Sequence, residues 1–438
     1  MKSSAGVTVS LLITSLLLAG SAGRAAESPV SGQAIDQRIQ RYRTAEVTLR
    51  VTDAAGKPVA GAEVAIEMVR HKFLFGCNAF MLERCGTNSL DQRYAQRFAA
   101  LFNYATLPFY WNGYEPRPGR TEQSTLMKMA GWCRASGIRP KGHPLCWHES
   151  APRWLEGKPT DEIRRLQVAR VEREVQAFKG LIDTWDVVNE VMVMPRIDKN
   201  NPVTRLCNER GSLDLVRTMF AAARRDNPNA MLILNDYDTS PACSAQTGKF
   251  LEAGIPIDVI GIQSHFHKGC PGGEETWAAC QRFAKLGKPL HFTETTILSG
   301  HVKTDNDWNR TQSGWNSTAE GEQLQARQAV EFYRLLFSHP AVEALTWWDF
   351  SDLGAWMGAP SGLVRKDMSP KPAYDALLKL VKGQWWTGPL KLTTDAAGEV
   401  SFHGYLGQYA IQSGVGRAEF GVARCGRESL TVSIPAAR

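Results

Sequence analysis

The sequence predicts an α/β protein: a (β/α)8 barrel carrying a small β-sandwich formed by N- and C-terminal strands. Three observations carry that reading. Across residues 72–382, short apolar runs of strand length alternate with longer stretches of helical periodicity. Outside that region, at 45–71 and 384–438, the pattern changes to period-two alternation broken by Asp/Gly turns. Neither G-x-G-x-x-G nor G-x-x-x-x-G-K-[ST] occurs, which argues against the doubly wound open sheet, the other common way to alternate strands and helices.

The chain opens with Lys2, an apolar run from Val7 to Ala19 and small residues through Ala26. A basic start, a short apolar core and a small-residue cleavage site read as a secretory signal peptide over 1–25. The run is too short for a comfortable membrane span. Cleavage after Ala25 leaves 413 residues and lowers the net charge from +7 to +5. The expected location is therefore secreted or periplasmic. Export permits disulfides, and there are nine cysteines without a C-x-x-C. Cys270 with Cys280, and Cys77 with Cys85, are spaced to close short loops; burial as small apolar side chains is the competing reading.

At 45–71, alternation in Val47–Val51 breaks at Asp53-Ala-Ala-Gly56 and resumes at Glu63-Val64-Ala65-Ile66-Glu67, a strand, a turn and a strand. The C-terminal segment has a matching pair, Leu390-Lys391-Leu392-Thr393 and Val400-Ser401-Phe402 around Asp395-Ala-Ala-Gly398, which reads as a second hairpin. Lone hairpins bury too little to be stable, so the two ends are expected to pair into one sandwich. Its service as a carbohydrate-binding module competes with a capping role, and no aromatic row marks one strand face.

Between them, strand candidates fall at 73–78, 104–109, 139–146, 184–189, 231–235, 258–263, 290–293 and 344–348. Helical patterns fall at 90–102, 162–180, 213–226, 276–286, 320–337 and 373–381. Eight strand–helix repeats over this length suit a TIM barrel. Composition agrees with a globular chain, at 43% hydrophobic and 22% charged residues. The densest charge stretch, 164–174, mixes both signs at helical spacing, so nucleic acid is not an expected partner.

In such a barrel the chemistry sits where strands end. The third run ends in Gly142-His143, with Trp147 beyond; the fourth in Asn189-Glu190; the fifth in Asn235-Asp236-Tyr237. The sixth ends in Gln263-Ser264-His265, the seventh in Thr293-Glu294, and the eighth in Trp347-Trp348-Asp349, with Trp356 beyond. A carboxylate at the end of an apolar strand is expensive unless it is paired or used. Two such carboxylates, Glu190 and Glu294, suit a glycosidase pair in which one protonates the leaving oxygen and the other attacks the anomeric carbon. The indoles of Trp147, Trp348 and Trp356 suit the C–H faces of a sugar. The His265-x-His267 pair invites a metal reading, but nothing else in the sequence completes a site. No metal and no cofactor are expected.

These motifs resemble glycoside hydrolase family 10, the endo-1,4-β-xylanase family. The likeness rests on Gly142-His143-x-x-x-Trp147-His148, Trp185-Asp186-Val187-Val188-Asn189-Glu190, Asn235-Asp236-Tyr237 and Gln263-Ser264-His265-Phe266. It continues through Thr293-Glu294, Trp348-x-x-x-Asp352-x-x-x-Trp356 and Lys371-Pro372-Ala373-Tyr374. It implies a retaining double displacement, with Glu294 as nucleophile and Glu190 as acid/base. It also implies that Asn189 holds the sugar 2-hydroxyl, that His265 hydrogen-bonds Glu294 with Gln263 nearby, and that His143, Trp147, Trp348 and Trp356 line the glycone side. The implied substrate is xylan or a xylooligosaccharide, handled by a monomer with no membrane partner after signal cleavage. A different plant β-glycan, or a catalytically weak carbohydrate-binding protein on the same scaffold, are the alternatives.

The sequence departs from the family at 106–112, Thr-Leu-Pro-Phe-Tyr-Trp-Asn, where a Glu-Asn pair and a Lys are usual. Tyr110 and Trp111 are expected to replace that polar recognition by stacking. The loop 303–317, with Trp308 and Trp315, is also atypical, and Asn309-Arg-Thr and Asn316-Ser-Thr are glycosylation sequons.

Overall fold

The computed structural model describes residues 28–84, 89–308 and 310–435. The expected signal peptide, Cys85 and Asn309 lie outside the described residues. Two strands come first, β1 (Thr44–Asp53) and β2 (Glu63–His71). Eight follow: β3 (Leu74–Asn78), β4 (Tyr104–Pro108), β5 (Arg139–His143), β6 (Thr184–Asn189), β7 (Met231–Asp236), β8 (Val259–Ile262), β9 (Leu290–Thr295) and β10 (Val342–Trp347). The last five are β11 (Leu390–Thr393), β12 (Glu399–Tyr405), β13 (Gly407–Ser413), β14 (Gly416–Val422) and β15 (Gly426–Ile434).

Strands β3 to β10 close into a parallel barrel in chain order, β10 pairing with β3. Each overlaps one expected run. The third stops at His143 rather than Cys146 because Pro144 has no N–H to give the ladder. Beyond it the chain still follows β6: Leu145 N–H donates to Asp186 O at 2.9 Å, and Cys146 bridges Val188. Tight approach sets some residue choices. A Cβ on Gly142 would stand 2.1 Å from the buried Trp185 ring, so β5 crosses β6 there only as glycine.

Five α-helices among the described residues escape the sequence pattern: Gly32–Arg43, the single turn Trp111–Tyr114, Gln123–Ala135, Pro202–Arg210 and Pro241–Glu252. Gly32–Arg43 buries only Ile35 and Ile39, too little to produce a clear 3.6-residue signal. Gln123–Ala135 does bury a regular stripe, Leu126, Met129, Ala130 and Cys133, which the sequence reading passed over.

The terminal strands form two facing sheets, β12-β1-β15 and β11-β2-β13-β14. Neither expected hairpin exists. β1 pairs with β12 and β15, whereas β2 pairs with β11 and β13, so each strand–turn–strand run splits across the two sheets. The reason is burial. Each strand has one apolar face, and splitting lets Val47, Leu49 and Val51 face Val64, Ile66 and Met68 in one core. Phe402, Tyr409 and Phe420 point into that core, so the sandwich spends its aromatic side chains on packing.

Two devices fix the sandwich to the barrel. His71, ending β2, is buried edge-on to Phe75, Phe337, Trp386 and Tyr405, and burial lowers its pKa to about 3. Arg43, ahead of β1, donates to the carbonyls of Phe337 (2.6 Å), His339 (2.6 Å) and Val342 (2.7 Å). That guanidinium satisfies carbonyls left open where the helix Ala319–Ser338 ends. Six of the eight described cysteines are buried, and Cys270 and Cys280 are free thiols, so that expected short loop is not closed.

Candidate active site

The C-terminal ends of the barrel strands open into one cavity of about 1260 Å³. All nine residues singled out from the sequence line it: His143, Trp147, Asn189, Glu190, Gln263, His265, Glu294, Trp348 and Trp356. The strand ends are bent to achieve this. Glu190 and Ser264 hold φ at 58° and 63°, a left-handed region costing about 1–3 kcal/mol for a non-glycine residue. At Glu190 the backbone is held there by its own N–H, which donates to Asn235 O at 2.9 Å.

Glu294 is fully buried and Glu190 partly so, and the two keep different company. Around Glu294, Asn235 Nδ2 donates to Oε1 at 2.6 Å, and His265 Nε2 donates to Oε2 at 3.0 Å. His143 Nδ1 stands 3.9 Å from Oε1. Burial alone raises the Glu294 carboxyl, but His143, the His265 hydrogen bond and the Lys141 charge outweigh it, and its pKa falls below the ordinary value. Around Glu190, burial dominates. Gln263 Nε2 donates at 2.9 Å and Asn189 Nδ2 at 3.3 Å, but among the described residues no cation is paired with it. Burial, reinforced by the charges of Glu294 and Asp236, pushes Glu190 up to about 8 despite the Gln263 hydrogen bond. One carboxyl is thus set to be ionised, and the other to carry a proton, at neutral pH.

The two are tied together. Asn235 Nδ2 also donates to Asn189 Oδ1 at 2.7 Å, and Asn235 Oδ1 accepts from Thr293 Oγ1 at 2.6 Å. Beneath lies a buried ion cluster: Asp186 Oδ2 accepts from Lys141 Nζ at 2.6 Å and from His143 Nδ1 at 2.7 Å. Burial raises the Asp186 carboxyl, but Lys141 and His143 outweigh it and its pKa ends below the ordinary value. Trp348 stands edge-on to both His143 and His265, with centroids 5.5 Å from each, and Trp356 lies 4.8 Å from His265. Two aromatic walls therefore border the carboxylates.

The sequence reading missed roles for several neighbours. Asn235 was part of a motif without a function. Lys141 and Asp186 were invisible as a pair because they lie 45 residues apart; only the facing register of β5 and β6 unites them. Phe80 packs edge-on to Trp348 at 5.4 Å, from a segment with no motif. Asp349 accepts from Trp356 N–H (3.1 Å) and Ser361 Oγ (2.7 Å), and burial lifts it to about 6.

One expectation needs correction. Tyr110 lines the cavity and packs near His143 and Trp147. Trp111 does not reach it. Its indole is buried, donates to Glu115 Oε2 at 2.9 Å and lies 5.2 Å from the Arg170 guanidinium. Helical geometry after Tyr110 turns consecutive side chains about 100° apart, so Trp111 turns away while Tyr110 and Asn112 line the cavity. In the atypical loop Trp308 lines the cavity, while Trp315 is buried and donates to His301 O. Of the His265-x-His267 pair, His265 serves Glu294 and His267 is enclosed by Trp308, Trp315 and Trp356. Among the described residues no group of three His, Cys, Asp or Glu is placed to hold a metal ion, and no helix is long and apolar enough to cross a membrane.

Comparison with known proteins agrees with this geometry. The native xylanase 10B of Thermotoga maritima superposes with a TM-score of 0.61 at 23% identity, covering 72% of this chain and 96% of that one. The Endo-1,4-beta-xylanase/feruloyl esterase of Xylanibacter ruminicola is 27% identical over 290 residues, 59% of this chain and 39% of that protein. The Anti-sigma-I factor RsgI6 of Acetivibrio thermocellus is 26% identical over 384 residues, 86% of this chain and 46% of that protein. The chain thus spans less than half the length of these two relatives. The profile of Glycosyl hydrolase family 10 matches residues 67–380, which takes in the whole barrel and every strand end described above: the chain belongs to glycosyl hydrolase family 10.

Proposed function

We propose that this chain hydrolyses β-1,4-xylosidic bonds in xylan or xylooligosaccharides by a retaining double displacement. In this reading Glu294 attacks the anomeric carbon and Glu190 protonates the departing oxygen. Water then enters on the same face, and Glu190, now ionised, takes its proton as the glycosyl–Glu294 bond breaks. The observation that carries the reading is the opposite tuning of two carboxyls in one cavity, Glu294 held low by histidines and Glu190 raised to about 8 by burial. In this reading Asn189, adjacent to Glu190 and linked to Asn235, takes the sugar 2-hydroxyl. Trp348 and Trp356 supply stacking faces, and Tyr110 takes the place of the polar second-sugar contacts usual in the family. The likeness to xylanases supports xylan as substrate, and the Lys2 start with its apolar run, read as a signal peptide, supports export to the periplasm or medium.

The test is the product profile on β-1,4-linked xylan, arabinoxylan, glucan and mannan, with Glu294→Ala alongside. Short xylooligosaccharides from the unaltered chain and none from the variant support the reading. Cleavage of glucan or mannan alone would replace the substrate while keeping the chemistry. Equal activity in the Glu294→Ala variant would remove the mechanism.

A further inference from the structure

Beyond Trp356 the cavity continues onto a second indole that the chemistry above does not use. Trp308 is 37% exposed, as is Trp356, and the two rings lie nearly parallel, 23° apart with centroids 6.2 Å apart. Both line the cavity. Scattered exposed aromatics are ordinary on a protein surface; a stacked pair lining a cavity marks a place where a flat apolar face is expected. The platform is built rather than loose. His267 is buried against Trp308, Trp315 and Trp356, with centroids 5.9, 6.2 and 5.0 Å away. Its ring is neutral, with pKa lowered to about 3 by burial first and by His265 and Lys303 after it.

The platform is also positively charged on one side. Lys268 Nζ lies 5.6 Å and Lys303 Nζ 5.9 Å from the centre of the Trp308 ring. Their charges are not equivalent. Lys303 is buried and already neutralised by Asp305 at 2.5 Å. Lys268 is exposed, lines the cavity, and donates to the side-chain oxygen of Asn306, a neutral partner. An indole face beside an ammonium that pairs with no carboxylate among the described residues is complementary to a ring that is apolar on its face and anionic at its edge. Neutral sugars use only half of that arrangement.

We infer that Trp308 and Lys268 form a subsite for a carboxylate-bearing sugar, a uronic acid unit carried by the glycan next to the reacting bond. The proposal rests on the glycanase reading and specifies its substrate class: a chain decorated with acidic sugars. The ring of the acidic unit lies on Trp308, and its carboxylate accepts from Lys268 in place of Asn306.

Calorimetry on the full chain with Glu294→Gln, which suppresses turnover, compares a xylooligosaccharide bearing one glucuronic acid with the neutral oligosaccharide of equal length. The carboxylated ligand binds more tightly, and Lys268→Gln lowers the acidic-to-neutral affinity ratio by about fivefold, the scale of a part-exposed ion pair. High salt lowers the ratio in the parent and leaves it flat in Lys268→Gln. Trp308→Ala weakens the carboxylated ligand by about fivefold or more through loss of the ring face. A ratio unaffected by Lys268→Gln, or no binding of the carboxylated sugar, overturns the subsite. Hydrolysis of the neutral oligosaccharide by the unaltered chain is the separate check on the glycanase reading, so the two fail independently.

Discussion

Asn235 holds Glu294 with the same side-chain nitrogen that holds Asn189, at 2.6 Å to the carboxylate and 2.7 Å to the amide oxygen. A residue from β7 thereby sets the orientation of one carboxylate on β9 and of the amide beside the other on β6. Its own place is fixed by Thr293 and by Gly261 on β8, where a Cβ would stand 2.4 Å from Asn235 Oδ1.

Removing that link should be felt in turnover. A hydrogen bond to a charged group is worth about 1.5–3 kcal/mol, so Asn235→Ala is expected to lower kcat/KM on xylooligosaccharides roughly 10- to 100-fold. Asn235→Asp adds a carboxylate against Glu294 and is expected to shift the acid limb of the pH profile upward. Steady-state kinetics with unchanged kcat/KM in Asn235→Ala would show the link to be idle.

The pH dependence of activity follows from the two carboxyls. Catalysis in the proposed scheme needs Glu294 ionised and Glu190 protonated. Glu294 lies below the ordinary carboxylate value, so the acid limb falls below pH about 4.5. Glu190 lies at about 8, so the basic limb falls near there. With an aryl xyloside whose leaving group needs no proton, Glu190→Gln is expected to keep the first half-reaction and lose the basic limb. A basic limb that survives this substitution belongs to another group.

Glu190 also carries a stability consequence. Its folded pKa is raised, so folding is favoured below the unfolded value and penalised as pH rises from there towards about 8. Glu190→Gln removes the ionisable group and is expected to stabilise the protein at pH 7, with little change at pH 4. A gain of 1 kcal/mol corresponds to roughly 2–4 °C in Tm for a domain of about 200 residues, and somewhat less here. Calorimetric scans at the two pH values separate this from a pH-independent packing effect.

The Lys141–Asp186 pair is completely buried. Lys141→Met leaves Asp186 with the His143 hydrogen bond alone and is expected to cost up to about 3–5 kcal/mol, measured by denaturant unfolding. Adding Asp186→Asn should recover part of it. The sign with pH is the reverse of that for Glu190: Asp186 is held low, so its contribution is present above the unfolded value of about 3.9 and is lost as pH falls through the folded one.

Arg43 gives a prediction outside the barrel mouth. Its guanidinium serves three carbonyls at the end of the helix Ala319–Ser338 and the start of β10. Arg43→Ala is expected to destabilise by about 2–4 kcal/mol, whereas kcat should stay close to that of the parent.

The barrel was legible because each strand is an apolar run ended by a polar residue, and because strand ends are where such barrels place chemistry. The two carboxylates, His265 and the three indoles were legible for the same reason. What failed was whatever depended on partners distant in sequence. Periodicity at 47–51 and 63–67 is the same whether those strands pair with each other or with β12 and β13; only the shared core of the two sheets decides. Trp111 was misplaced because composition says what a loop contains and not which side chain turns inward. The Lys141–Asp186 pair and the Trp308 platform arise from register and loop path, which no local pattern encodes.

The split of β1 and β2 between two sheets has a consequence for the order in which the molecule assembles. β1 pairs in parallel with β15, Leu49 opposite Leu430, so the first strand of the sandwich meets its partners only after the whole barrel has been made. A chain emerging from the ribosome must carry β1 and β2 unpaired, each with a bare apolar face, through synthesis of everything between. Loop closure over so long a stretch is slow unless the intervening chain is already compact. The barrel is therefore the spacer that brings the two ends of the sandwich within reach of one another.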